Sequence, residues 1–263
     1  YGVQVFFVIS GFTIAVTYGS VSSYRQYLTR RVFRIAPLYY LLVIAAFALI
    51  AGGVLAPTYW MERFGSGADL YNLIMHLTFL SAWDARVANT LPGTEWTIPV
   101  EVFWYLILPV LLPFATQKRS FWVGLVLLLI LSGVVRVLAK QVLPSGTAHF
   151  LPLSYGAYFF LGAALKPLRA FVQKGRDVRK RRLVWIGAVL FIAALVAKNG
   201  GSAAMIALGT ALIIVGYDTG LDRLRLLTSR VLLFLGSISY SIYLWHMAVI
   251  LLLEQHLAGF ISS

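Results

Sequence analysis

Long apolar runs alternate along the chain with short polar knots, and the runs have the length of membrane helices. A helix needs about 20 residues to cross roughly 30 Å of hydrocarbon. Windows of that size mark apolar segments near 2–18, 37–56, 96–115, 120–139, 148–165, 183–198, 201–217 and 231–255, with a shorter ninth at 70–83. Glycine and proline inside these runs do not disqualify them, because packed neighbours re-satisfy the freed backbone groups. The predicted fold class is therefore all-α: a polytopic transmembrane helical bundle of about eight to nine membrane helices, one integral-membrane domain over 1–263.

Sidedness decides whether 70–83 crosses, since each crossing reverses the face on which later loops fall. Without a crossing there, seventeen Lys and Arg gather on one face and four on the other; with one, the split is fourteen to seven. Retention of positive charge in the cytoplasm favours the first arrangement. It makes 20–36 a cytoplasmic basic segment, 57–95 an outer segment and 166–182, "KPLRAFVQKGRDVRKRR", a cytoplasmic basic loop beside anionic lipid. Within the outer segment, 70–83 is then re-entrant, interfacial or packed between helices. No internal repeat or low-complexity tract stands out.

Composition sharpens this picture. The 263 residues are 60% hydrophobic and only 12% charged, where soluble domains carry about 25% charge. Mean hydropathy is +0.84. The formal charge of +13 sits between apolar runs, so it marks topology and membrane lipids as partners, with no nucleic acid expected. The absence of cysteine excludes disulfides, thiolate metal sites and a cysteine nucleophile. His76, His149, His246 and His256 are not spaced as a metal site, and no metal is expected. The sequence opens on "YGVQVFFVISGF", which reads as the middle of a membrane protein, so a preceding N-terminal segment is expected.

One polar knot carries a problem. From Ser22 or Ser23 as a cap, residues 24–35 fit an amphipathic helix, and Arg30, Arg31 and Arg34 share a strip of it. Like charges at these spacings repel, and Pro37 is expected to open the next helix, whose N-terminus is itself partly positive. An anion relieves both terms. Backbone N–H groups and planar guanidinium forks together suit a phosphate; lipid phosphates and topology marking explain the same residues otherwise.

Ionisable residues inside the spans are costly unless partnered, and each is a functional candidate. Glu101, Arg136 and His246 qualify. At 1.5 Å per residue, Glu101 lies a little over one turn from the outer end of its span, and Arg136 and His246 lie roughly 22–24 Å from the inner ends of theirs. All three thus fall at similar depth. A helix-dipole role for Glu101, snorkelling by Arg136 and a neutral hydrogen-bonded His246 are the structural alternatives.

With these residues in view, the chain resembles the membrane-bound acyltransferase 3 family, whose bacterial members O-acetylate surface glycans. "GVQVFFVISGF" (2–12), "YLTRRVFRIAPLYY" (27–40), "EWTIPVEVFWYLILP" (95–109) and "LGSISYSIYLWH" (235–246) carry the likeness in the family's order. The resemblance implies an acetyl-CoA donor from the cytoplasm and a carbohydrate hydroxyl as acceptor, in the cell inner (plasma) membrane. By position, Arg31 and Arg34, with Arg30 beside them, match the family's Arg-x-x-Arg element and are expected to bind donor phosphates. Glu101 matches its glutamate and His246 its terminal histidine, the expected catalytic pair in this chain. The family's principal histidine lies on a helix that would precede Tyr1, which puts the activity of residues 1–263 alone in question. A transporter or flippase for a glycan or lipid-linked precursor is the competing class, with Glu101, Arg136 and His246 lining a path. A non-catalytic binding remnant is the third.

Overall fold

The computed structural model describes residues 2–91, 94–144, 146–217 and 229–261. Arg223 and Arg225, counted above with the inner-face charges, lie outside the described residues, as do the side chains of Lys118, Arg119 and His256. The described chain is all-helical, with ten α-helices: α1 (Gly2–Tyr18), α2 (Tyr24–Ala51), α3 (Tyr59–Phe64), α4 (Leu70–Leu77), α5 (Thr97–Thr116), α6 (Lys118–Val142), α7 (Gly156–Gln173), α8 (Asp177–Ala197), α9 (Ser202–Gly216) and α10 (Arg230–Ile261). Among the described residues, α2, α5, α6 and α10 are long and apolar enough to cross a membrane, and α1 and α9 are shorter apolar helices. On α6, Val126, Leu127, Leu129, Ile130, Val134 and Val137 are all exposed, a surface that lipid covers and water would not tolerate.

Local signals set the ends. The Ser23 hydroxyl accepts from the Gln26 amide at 3.2 Å, while Gln26 Oε1 accepts from the Ser22 amide at 3.1 Å, so two donors of the first turn of α2 and its approach are satisfied. Thr58 and Asp69 cap α3 and α4 in the same way, and Gly65 closes α3 in the left-handed region at φ 60°.

Three sequence expectations are corrected. Pro37 does not open a new helix: α2 runs unbroken from Tyr24 to Ala51 with Pro37 inside it. Long apolar flanks keep the helix going, and the missing N–H costs only the bond to the Phe33 carbonyl. No free helix N-terminus therefore stands beside the arginines. The basic stretch 166–182 is not a loop either. It is the end of α7 and the start of α8, joined by residues 174–176. Residues 148–155, expected to begin a span, form short 3-10 turns ahead of α7.

The described chain divides into two compact units: residues 1–28, 104–134 and 155–233, and residues 29–103, 135–154 and 234–263. In the first, α1 lies against α7 and α8 against α9. Phe7 stacks on Phe159 at 4.8 Å, and Trp104 covers the same ring at 5.5 Å. Helices approach at small residues: a Cβ on Gly11 would meet the Phe159 carbonyl, and one on Gly162 the Val8 carbonyl. The basic stretch finds its structural work here. Lys166 Nζ donates to the Ala15 carbonyl at 3.1 Å, Arg169 to those of Ile214 and Tyr217 at 3.1 and 3.0 Å, and Gln173 to those of Val215 and Tyr217 at 3.0 Å. These donors reach carbonyls at the C-terminal ends of α1 and α9, where the dipole also favours cations.

The second unit holds every predicted site residue. Its α4 has eight residues, about 12 Å, far short of a bilayer. This helix descends antiparallel to α2: His76 meets Phe47 (ring centroids 6.4 Å), the Leu77 carbonyl accepts from Tyr40 Oη at 3.0 Å, and Phe79 stacks on Tyr39 at 5.0 Å. Tyr40 precedes the end of α2 by eleven residues, so 70–83 dips about 16 Å along that helix before turning back. At the tip Phe79 adopts φ 59°, a conformation a bulky side chain holds only when its surroundings force it.

Candidate active site

The arginines occupy one and a half turns of α2 but not one environment. Arg31 is 3% exposed, whereas Arg30 and Arg34 are exposed and have no hydrogen-bond or ion-pair partner among the described residues. Helical geometry explains the split: Arg31 lies on the stripe of Tyr27 and Ile35, both buried, and Arg34 turns away from it.

Tyr240 ties α10 to the arginine segment of α2. Its hydroxyl donates to the Ile35 carbonyl at 3.2 Å, the peptide next to Arg34. The same hydroxyl lies within electrostatic reach of both the Glu101 carboxylate and the Arg34 guanidinium. Glu101, one turn into α5, is 4% exposed. One turn further along α10, Tyr243 is held at both ends. Its hydroxyl stands 3.0 Å from Thr97 Oγ1, and its carbonyl accepts from the Thr94 hydroxyl at 3.3 Å. Glu95 and Glu101 both act electrostatically on that phenol.

His246 completes the stripe of Tyr240, Tyr243 and His246, spaced by three residues along α10. Its Nδ1 lies 2.7 Å from the Tyr243 carbonyl. A carbonyl only accepts, so Nδ1 carries a proton and Nε2 is the nitrogen turned away from that bond. No hydrogen bond or ion pair joins His246 to Glu101 among the described residues. The structure thus sets Arg34 and Glu101 within electrostatic reach of one tyrosine and His246 on the same helix stripe. Arg136 goes elsewhere: its Nη2 donates to the Ser154 carbonyl at 3.2 Å, near His149.

Sequence reasoning passed over Tyr240, Tyr243, Thr97 and Glu95. The period-three spacing of Tyr240, Tyr243 and His246 was the available signal, since it puts three polar groups on one edge of an apolar helix. Glu95 carried no such signal. It is fully buried and accepts from the Leu91 amide at 2.9 Å through Oε1, a contact made across a turn ahead of the helix.

The sequence profile of the acyltransferase 3 family, described as an acyltransferase domain, matches residues 1–263. The chain belongs to this family. It is also similar to the "Putative acetyltransferase ORF330" of Acidianus two-tailed virus, 26% identical over 270 residues, covering 99% of this chain and 74% of that protein. No solved structure matches. The family and the apolar helices together make the chain a membrane acyltransferase. Acyl transfer needs a held donor, a base for the attacking group and stabilisation of the developing oxyanion. Guanidinium, carboxylate, imidazole and phenol groups are side chains chemically suited to such work, and no group of three or more metal-ligating side chains occurs among the described residues.

Proposed function

We propose that the protein is a multi-pass O-acyltransferase of the cell inner (plasma) membrane that moves an acyl group, in the first instance acetyl, from acyl-CoA to a hydroxyl of a carbohydrate or glycan. Its eight helices of fifteen or more residues form the crossings, and 70–83 enters and leaves on the outer side. The observation that carries the reading is the bond from the Tyr240 hydroxyl of α10 to the Ile35 carbonyl in the arginine segment of α2, with Arg34 and Glu101 both within electrostatic reach of that hydroxyl, in a chain whose family transfers acyl groups. The name of the viral relative supports acetyl as the group moved.

Exposed Arg30 and Arg34 reach toward the donor's phosphates from the cytoplasmic side, and buried Arg31 lends charge from within. The overall change breaks the thioester C–S bond, forms an ester C–O bond and passes the acceptor hydroxyl's proton to the departing thiolate. Glu101 and Nε2 of His246 are the groups of residues 1–263 suited to hold or orient that proton. Arg34→Ala in the full-length protein tests the donor site, because an exposed side chain is removed without unsettling the fold. Binding of labelled acetyl-CoA is expected to weaken about tenfold, the scale of one charge-assisted contact. Unchanged affinity overturns the donor assignment, and glycan movement without acetylation by the wild type would replace the enzyme with a transporter.

A further inference from the structure

Where α5 ends and α6 begins, both helices stand beside α7 around a cavity of about 550 Å³, a volume typical of small-molecule sites. Its wall is apolar: Ala115 of α5, Phe121 and Trp122 of α6, and Ala164, Leu168 and Phe171 of α7. Phe121 is held there by stacking on Phe160 at 5.9 Å, so packing inside the first unit sets the wall. Along α7 the lining runs from Leu161 to Phe171, about 15 Å of rise. That is half of the roughly 30 Å of bilayer hydrocarbon, the depth of one leaflet. Trp122, Leu168 and Phe171 are 63, 48 and 67% exposed, which leaves the cavity open on its lipid side.

Polar groups gather at one end only. The Thr116 hydroxyl is turned back onto the Leu112 carbonyl at 2.8 Å, but the exposed Gln117 amide has no side-chain partner among the described residues. Lys174 keeps helical backbone angles, φ −77° and ψ −9°, so it extends the row of Leu168 and Phe171 by one more step of three. It too is exposed and has no side-chain partner among the described residues. Exposed Arg176 follows at the α7–α8 junction, which retention of positive charge assigns to the cytoplasm. A soluble anion would leave the apolar slot empty, and a neutral lipid would leave the cations without a counter-charge. An anionic lipid fills both.

We propose that this cavity binds one anionic phospholipid of the cytoplasmic leaflet, with an acyl tail along α7 and the phosphate at Gln117 and Lys174. The site requires only that the α7–α8 junction face the cytoplasm, so it stands or falls apart from the acyltransferase reading.

Full-length protein in a mild detergent, titrated with phosphatidylglycerol or with phosphatidylcholine of the same tails, shows its bound lipid by native mass spectrometry. One phosphatidylglycerol per chain is expected to stay bound, about tenfold tighter than phosphatidylcholine, the scale of one charge-assisted contact. It is expected to raise the melting temperature, as a ligand of the folded state does. Ala164→Trp fills the cavity from the side of α7 away from Gly162, and retention of both lipids is expected to be lost. Lys174→Gln, an exposed change that leaves the fold intact, is expected to lower phosphatidylglycerol to the phosphatidylcholine level and to leave phosphatidylcholine unaltered. If Ala164→Trp does not fold, this second variant decides. Equal retention of the two lipids by the wild type overturns the headgroup assignment, and so does undiminished phosphatidylglycerol on Lys174→Gln. Phosphatidylglycerol retained by folded Ala164→Trp overturns the cavity, and inorganic phosphate that raises the melting temperature as far as phosphatidylglycerol overturns the lipid. A wild-type dimer that Ala164→Trp turns into a monomer in the same spectra gives the cavity to a second copy of the chain, which overturns the proposal as well.

Discussion

Single side chains in the second unit are set by burial more than by charge pairing. His76 is the plainest case: it is fully enclosed, its Nδ1 bonded to the Asn72 carbonyl at 2.9 Å. Burial pushes this imidazole down to about 4 from its ordinary 6.5, the backbone bond opposing only in part. Above pH 6.5 both folded and unfolded states hold a neutral ring. Between 6.5 and 4 the unfolded chain takes up a proton that the folded one refuses, so stability falls as pH falls, by about 3 kcal/mol in all. Below 4 this group adds nothing more. The melting temperature of the wild type is expected to drop across this window more steeply than that of His76→Leu, and parallel pH profiles would remove His76 as the cause. Asp84 works in the opposite setting. Its bidentate bond to Arg86, at 2.6 and 3.0 Å, holds the carboxyl down to about 2 on an exposed edge, where screening leaves such pairs worth little.

Helices in this protein are fixed against each other by what they lack. Gly11 of α1 and Gly162 of α7 each face a carbonyl of the opposite helix, and backbone atoms cannot move aside for a methyl group as a flexible side chain can. Gly11→Ala and Gly162→Ala are each expected to cost upwards of about 3 kcal/mol, by overpacking a rigid contact. Gly133 of α6 meets nothing within 4 Å, so Gly133→Ala is expected to be neutral or to stabilise by about 0.5–1 kcal/mol through helix propensity. Melting temperatures in one detergent compare the three directly; equal shifts would refute the close-crossing account. The same scale explains why Pro37 misled the sequence reading. Proline predicts a break when a helix has only its own hydrogen bonds to rely on, whereas α2 continues for fourteen residues beyond it, between packed neighbours and lipid.

At the scale of the whole molecule, the positive-inside count assigns the Arg30–Arg34 end of α2 and the α7–α8 junction to one side, with Arg63 and Arg86 on the other. The absence of cysteine makes this directly measurable. Single variants Lys174→Cys and Arg63→Cys, in cells treated with an impermeant thiol reagent, are expected to differ: Arg63→Cys labels in intact cells and Lys174→Cys only after the membrane is opened. The reverse pattern would put the arginines on the side away from cytoplasmic acyl-CoA, and the proposed donor site would fall with it.

The sequence by itself determined the all-helical class, the presence of long apolar helices and the family, and it named Arg30, Arg31, Arg34, Glu101 and His246 as candidates. These follow from hydrophobic run length, from the high cost of charge crowding and of charge in hydrocarbon, and from short motifs, all of which are local properties of the chain. Only the tertiary structure decided which groups surround those residues. The Tyr240–Ile35 bond joins α10 to α2 across more than two hundred positions of sequence and sets Arg34 and Glu101 within electrostatic reach of one phenol, and the depth reached by Phe79 depends on where α4 lies along α2. Periodicity places a side chain on a face of its own helix, but the partner that face will meet is set by packing between segments far apart in the chain.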